Sequence, residues 1–239
     1  MGIDLAAALD WWREAGVDGD FTDAPQNWLA ETLIVGAESM SALAEPDKPI
    51  PQIGGLPSTW PNDLAEFRAW WLNEPSLAIG GLQRVGPAGP HRAALMLLVA
   101  MPEADDADTL LSGQTGRLLD ALLEAFGLTR SQIYLASALP ARVALPDWEA
   151  LTEQGMGAVL AHHIALVAPQ RLLVLGRGGV STLLGNGSAQ SAAHLKVFNH
   201  ESVSAPMMIT ADLEALLVSP GMKAGLWNRW LDWTGTSQV

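Results

Sequence analysis

The sequence predicts an α/β protein in which helices cover both faces of a mainly parallel sheet. Two kinds of segment alternate from residue 94 onward, and this alternation carries the prediction. Continuous apolar runs such as "ALMLLVA" are typical of strands that are buried on both faces. They alternate with segments such as "TGRLLDALLEAFGL", whose apolar residues recur at helical spacing. Strands that alternate with helices favour parallel pairing through crossover connections.

Each element can be placed from its own pattern. Strands are predicted at 94–100, 131–139, 170–176, 195–200 and 205–212, and the last of these is expected in the middle of the sheet. Helices are predicted at 115–128, 147–169, 177–185 and 213–233. Gly127 ends the first of these helices, because glycine readily takes the left-handed conformation that follows a helix. Pro169 ends the second, because proline cannot continue a helix.

The first 83 residues differ in character from the rest. The segments "IDLAAALDWWREAGVDGDF" and "NWLAETLIVGAESMSALA" are predicted to be helical. Five prolines then fall between Pro46 and Pro61, which favours an extended connector. A short helix follows, with Asn62 or Asp63 as its cap. We therefore predict an acidic helical segment at 1–83, with a Pro-rich connector at about 46–61, and an α/β domain at 84–239, the two forming one compact unit.

Composition excludes several classes of function. The chain of 239 residues has no cysteine, so disulfides, thiolate nucleophiles and cysteine-ligated clusters are excluded. No apolar run is long enough to span a membrane, and a cytoplasmic protein is expected. The net charge is -13, and the first 83 residues hold 13 acidic and 3 basic side chains. Because DNA affinity comes largely from Lys and Arg contacts with phosphate, only weak DNA binding is expected.

Two loop motifs allow a chemical and a structural interpretation. The acidic run "EADDAD" at 103–108 offers oxygen ligands for a divalent cation, but a solvated loop is favoured and no metal site is predicted. The turn "GRGG" at 176–179 resembles a phosphate-binding turn. It lacks the full dinucleotide pattern and the P-loop lysine, so close packing of a helix on a strand is the favoured interpretation.

Histidines and tryptophans on the predicted helices are also interpreted mainly as structural. His162 and His163 are adjacent, so their side chains point about 100° apart on a helix and cannot form a metal-binding pair. Trp227, Trp230 and Trp233 follow one another at three-residue steps. They would form a partial stripe on the last helix, which favours core packing or the docking of a partner.

Ligands of parallel α/β folds bind beyond the carboxyl ends of the strands, which here means the loops after Val99, Ser137, Gly176 and Thr210. The segments "GQTGRLLDALLEAFGLTRSQIYLASAL" and "HIALVAPQRLLVLGRGGVSTLLG" resemble, in order and separation, the bacterial family four enzymes of the uracil-DNA glycosylase superfamily. The resemblance covers most of the chain. It implies a three-layer α/β/α fold around a mainly parallel four-stranded sheet. It also implies a base pocket lined by Met101, Pro102, Leu111, Gly113, Ser137, Gly176 and Asp212.

The positions that match the family's catalytic motifs carry different residues. The family's Gly-Glu-Ala-Pro-Gly loop reads "VAMPE" here, so its water-activating acid falls on Ala100. The phenylalanine that stacks on the base falls on Leu111, and the asparagine that reads the base edge falls on Ser137. The histidine of the late His-Pro-Ala-Tyr motif falls on Asp212. The four cluster cysteines are absent, and no cofactor is expected.

These replacements predict the loss of uracil excision. Removing one electrostatic donor from an active site costs about 10²–10³ in rate. A carboxylate at Asp212 would also repel a uracil anion by about 4 kcal/mol at contact distance, for an effective dielectric constant near 20. The leading hypothesis is a non-catalytic protein that binds a protein partner in DNA repair or replication.

Two alternatives remain beside this hypothesis. One is a divergent glycosylase that acts on uracil or another deaminated base, with Asp105, Asp106 or Asp108 positioning the water. The other is a binding module for a nucleobase or nucleotide, in which the crevice is kept for recognition only.

Overall fold

The computed structural model describes residues 52–81, 83–185, 195–200 and 203–235. The two helices predicted before residue 45, and the connector up to residue 51, lie outside the described residues. Residues 49–239 group into one compact unit. The predicted division of the chain at residue 83 stays a prediction.

A five-stranded sheet lies at the centre of this unit, in the order β2-β1-β3-β5-β4. Its strands are β1 (Leu95–Val99), β2 (Ile133–Ser137), β3 (Leu172–Leu175), β4 (Leu195–His200) and β5 (Val203–Thr210). The first four strands in the sheet order run parallel, and β4 pairs antiparallel with β5 at one edge. The predicted α/β class is confirmed, and the predicted strand count of four is corrected to five. Two residues separate β4 from β5, a connection that permits antiparallel pairing but is too short for a crossover.

Helices cover both faces of the sheet, which confirms the three-layer arrangement. One face carries α1 (Leu64–Asn73), α3 (Trp148–Glu153), α4 (Met156–Val167) and α5 (Gly179–Leu183). The other carries α2 (Gln114–Ala125), α6 (Leu213–Val218) and α7 (Pro220–Gly235). Along β1, Met96 and Leu98 belong to the first core, whereas Leu95, Leu97 and Val99 belong to the second. Burial on both faces is the reason that the strand reads as a continuous apolar run.

Two predicted helices are each divided in the structure. The helix expected at 147–169 ends at Glu153 and a second begins at Met156, because Gly155 takes a left-handed conformation with φ of 93°. The helix expected at 213–233 stops at Val218, and Pro220 begins the next one. Ser219 is extended, as the residue before a proline usually is.

The β2 edge of the sheet is covered by the segment before β1. Ala88 pairs with Leu135 as an isolated antiparallel bridge. Gly89 lies so close to β2 that a Cβ atom there would sit 2.3 Å from the carbonyl oxygen of Ile133. Within the described residues, no helix combines the length and the hydropathy that spanning a bilayer requires.

Candidate functional site

The loops that follow β1, β2, β3 and β5 lie side by side at the carboxyl ends of these parallel strands, where ligands of such folds bind. Backbone hydrogen bonds join neighbouring loops there. The amide of Leu139 donates to the carbonyl of Ala100 at 3.0 Å, and the amide of Gly176 donates to the carbonyl of Thr210 at 3.1 Å. The structure therefore brings Ala100, Ser137, Gly176 and Asp212 together at the carboxyl ends of the parallel strands.

Asp106 organises the acidic loop after β1. Its carboxylate accepts the backbone amides of Glu103, Leu111 and Ser112, each at 2.8 Å, and the Ser112 hydroxyl at 2.7 Å. The side chain is 4% exposed. Burial acts to raise the pKa of this carboxyl, but the hydrogen bonds from Ser112, Glu103 and Leu111 outweigh it and the pKa is lowered. Asp106 is thus a charged anchor for the loop, with both oxygens engaged.

Glu103 lies in the loop after β1, and its side chain caps the N-terminus of α2. Its carboxylate accepts the Gly113 amide at 3.2 Å and the Thr115 hydroxyl at 2.5 Å. A carboxylate is stabilised at a helix N-terminus by the unpaired amides and the helix dipole. Neither this cap nor the Asp106 anchor was predicted from the sequence. The acidic run ahead of the predicted helix was the available signal, because carboxylates are stabilised near a helix N-terminus.

The other carboxylates of the loop lie at its surface. Asp105 and Asp108 are exposed. Among the described residues, no group of three or more His, Asp and Glu side chains could hold a metal ion. Of the three aspartates suggested for water positioning, only Asp106 is buried, and its oxygens are occupied by the loop itself.

Leu111, at the position of the family's stacking phenylalanine, is part of the core. Its backbone is left-handed, with φ of 57°, and its side chain is 4% exposed. Its carbonyl accepts a hydrogen bond from Arg130 Nη2 at 3.2 Å. A Cβ atom on Gly116 would lie 1.8 Å from the same carbonyl oxygen, so glycine is required at that position.

The remaining predicted pocket residues supply few polar groups. Ser137 ends β2 beside Val99, and its buried Oγ has no hydrogen-bond partner among the described residues. Ala100 and Met101 are half-buried and pack against the core, and Pro102 is buried. Neither Ala100 nor Met101 has a side chain that could activate water.

Asp212 caps α6. Its carboxylate accepts the backbone amide of Ala215 at 2.7 Å, and the residue is exposed. It lines a cleft of about 580 Å³ with Arg177, Thr210 and Arg229. Arg229 lies on α7, and its Nη2 donates to the Thr210 hydroxyl at 3.0 Å. The two arginines were not predicted as site residues. Arg177 lies in the "GRGG" turn, but Arg229 is 52 positions away and belongs to no motif.

Gly179, the last residue of the "GRGG" turn, is required by tight packing. A Cβ atom on Gly179 would lie 2.0 Å from the Trp148 ring, so α5 approaches α3 closely at this point. This supports the packing interpretation, although the close contact is with a helix rather than a strand. Gly178 has open space around it, and Gly176 has a positive φ of 150°.

The two histidines on α4 are structural. His163 is fully buried, and its Nε2 lies 2.9 Å from the Tyr134 hydroxyl. Burial lowers the pKa of His163 to about 3, and the charges of Arg68 and His162 act in the same direction. His162 Nε2 lies 2.8 Å from the carbonyl oxygen of Pro61.

The C-terminal tryptophans belong mostly to the core. Trp230 and Trp233 are buried, whereas Trp227 is 38% exposed. The Phe126 ring stacks on both Trp230 and Trp227, with centroid distances of 3.9 and 6.3 Å. The predicted stripe is therefore exposed at one tryptophan only.

Comparison with known families agrees with the fold. The family model described as the uracil DNA glycosylase superfamily matches residues 87–230, more than half of the chain. The matched region begins ahead of β1 and ends within α7, so it includes the whole sheet. No curated protein matches the chain.

Proposed function

We propose that this chain, which belongs to the uracil-DNA glycosylase superfamily and is a DNA glycosylase-like protein, does not excise uracil and instead binds other proteins in DNA repair or replication. One observation carries the first part. The buried carboxylate in the loop after β1 is Asp106, and all of its hydrogen bonds hold the loop. Ala100, at the position of the family's water-activating acid, offers no group in its place.

The residue at the family's histidine position also opposes uracil release. Base excision leaves a uracil anion, which needs a hydrogen-bond donor or a positive charge beside it. Asp212 stands at the family's histidine position, and its carboxylate caps α6 by accepting the Ala215 amide. A carboxylate there repels the leaving group instead of stabilising it.

The surface of α7 supports the second part of the proposal. Trp227 and Leu231 are 38% and 48% exposed and lie four residues apart, on one face of this helix. Aromatic residues are enriched in protein interfaces. The acid excess of the first 83 residues disfavours DNA as the main partner, because it would repel phosphate.

The glycosylase activity is tested by a single-turnover assay with protein in excess over DNA. Single- and double-stranded substrates would carry uracil, hypoxanthine or xanthine, and abasic sites would be detected by alkaline cleavage. We expect no cleavage above a buffer control, even at stoichiometric protein. A family enzyme with its catalytic motifs intact serves as the positive control.

The divergent-glycosylase alternative is tested in the same assay with the variant D105N/D108N. Asp106 is left unchanged there, because its loss would disturb the loop. Cleavage by the wild-type chain would overturn the proposal, and its loss in this variant would place catalysis on the exposed acids of the loop.

A further inference from the structure

The cleft between the β3 loop and α7 contains an unusual concentration of positive charge. Arg177 follows β3, Arg229 lies on α7, and both line the cleft of about 580 Å³. The chain as a whole has 26 acidic and 13 basic side chains, so a cleft lined by two arginines is unusual for this acidic protein. Such a pair is expected to have a counter-charge nearby, either from the protein or from a ligand.

The protein supplies only part of that counter-charge. Among the described residues, no carboxylate oxygen lies within 4 Å of either guanidinium. Asp212 lines the same cleft and contributes one negative charge, which its hydrogen bond from the Ala215 amide does not cancel. Among the described residues, the two arginines therefore exceed the one carboxylate of the cleft, and an anionic ligand would neutralise this excess.

The Arg229 guanidinium is held in place but is incompletely paired. Its Nη2 donates to Thr210 at 3.0 Å, which fixes the position of the group. Its Nε is buried and has no hydrogen-bond partner in the described part of the chain. A guanidinium has five N–H donors, so most of its capacity is unused. Burial, and then the charge of Arg177, lower the pKa of Arg229, which is the result expected when two cations face each other.

We propose that this cleft binds a phosphate monoester between Arg177 and Arg229, with the Thr210 hydroxyl positioning the second arginine. Guanidinium groups form paired, charge-assisted hydrogen bonds with phosphate oxygens. A monoester carries about -1.5 to -2 charges and three acceptor oxygens at neutral pH, so it engages two guanidinium groups more strongly than the single charge of an internal phosphodiester does. This proposal does not depend on whether the chain excises bases.

Two sources could supply the same chemical group. One is a free nucleotide, and the other is the terminal phosphate of a DNA strand. Both carry the dianionic monoester, and they differ in whether further nucleotides follow it.

The experiment is calorimetric titration of the full chain at low salt with inorganic phosphate, and with dimethyl phosphate as the singly charged comparison. We expect phosphate to bind and dimethyl phosphate to bind at least about tenfold more weakly. R177M and R229M should each weaken phosphate binding by about tenfold or more, the range for a lost charge-assisted contact. R117M is the matched control, because Arg117 is exposed on α2 and does not line the cleft. Its affinity should equal that of the wild type.

The outcome that overturns the proposal is equal phosphate affinity in wild type, R177M and R229M, or no binding by the wild type at millimolar phosphate. R177M is expected to fold normally, because Arg177 is exposed and its replacement leaves the hydrogen bond between Arg229 and Thr210 in place. Its thermal melting temperature without ligand should match that of R117M. If R177M binds phosphate more weakly at an unchanged melting temperature, the loss comes from the missing guanidinium and not from unfolding.

The source is identified in a second titration with a deoxynucleoside 5′-monophosphate, a 5′-phosphorylated oligonucleotide and the same oligonucleotide without its phosphate. Tighter binding of the monophosphate identifies a nucleotide site. Preference for the phosphorylated over the unphosphorylated oligonucleotide identifies a strand-end site. Equal binding of the two oligonucleotides, together with no binding of the monophosphate, contradicts a monoester site.

Discussion

Asp106 holds the loop between β1 and α2 together through four hydrogen bonds to Glu103, Leu111 and Ser112. These bonds end on an ionised group, and such bonds are stronger than neutral ones. They also fix the left-handed backbone of Leu111, which places its side chain in the core. Asp106, which the sequence offered as a candidate for positioning water, therefore stabilises the conformation of the loop.

We expect D106A to destabilise the protein by about 2–4 kcal/mol, because three backbone amides lose their acceptor together. The exposed D108A is the matched control, with a change within about 0.5 kcal/mol. Urea unfolding at pH 7 measures both. Since the folded-state pKa of Asp106 is lowered, its contribution is present at neutral pH and is lost as pH falls through that pKa. Equal stability of D106A and wild type at pH 7 would contradict the anchoring role.

At the scale of elements, the sequence predicted the order of helices and strands but not their interruptions. Periodicity located β1, α2 and β3, because each has one strong pattern along its length. It missed the breaks at Gly155 and Ser219, since the apolar spacing continues across both and only the backbone conformation changes. The site was less predictable still. The Arg177–Arg229 pair depends on how α7 packs beside β3, and no local pattern encodes that.

The exposed face of α7 that carries Trp227 and Leu231 gives a prediction about partners. A protein complex that depends on this face should survive about 0.5 M salt, because apolar contacts are not screened as charges are. W227A/L231A should weaken such a complex by at least about tenfold, since buried aromatic residues dominate interface energies. L145A is the control, because Leu145 is 92% exposed and lies in the loop before α3. Pull-down with the tagged full chain measures all three proteins, and a complex that is equally strong in W227A/L231A would exclude this face as its basis.

At the scale of the whole molecule, the two cores on either side of the sheet differ in polarity. The core that contains α1 and α4 includes a buried group of Tyr134, His163 and Phe67, with Arg68 5.3 Å above the Tyr134 ring. His163 Nδ1 and Arg68 Nε are buried without partners among the described residues. Protonating His163 would add a second charge beside Arg68, so the neutral histidine is favoured in this core.

This requirement makes global stability depend on pH. The pKa of His163 is about 3 when folded, against about 6.5 when unfolded, so between these two pH values the unfolded chain binds up to one proton more. The free energy of unfolding must then decrease as the pH is lowered, by about 2 kcal/mol from this residue between pH 7 and pH 5. H163Q keeps an acceptor for the Tyr134 hydroxyl but does not titrate. We expect it to be less stable than wild type at pH 7 and to lose less stability by pH 5, as measured by urea unfolding at both values. Parallel losses in the two proteins would show that the acid sensitivity comes from other groups.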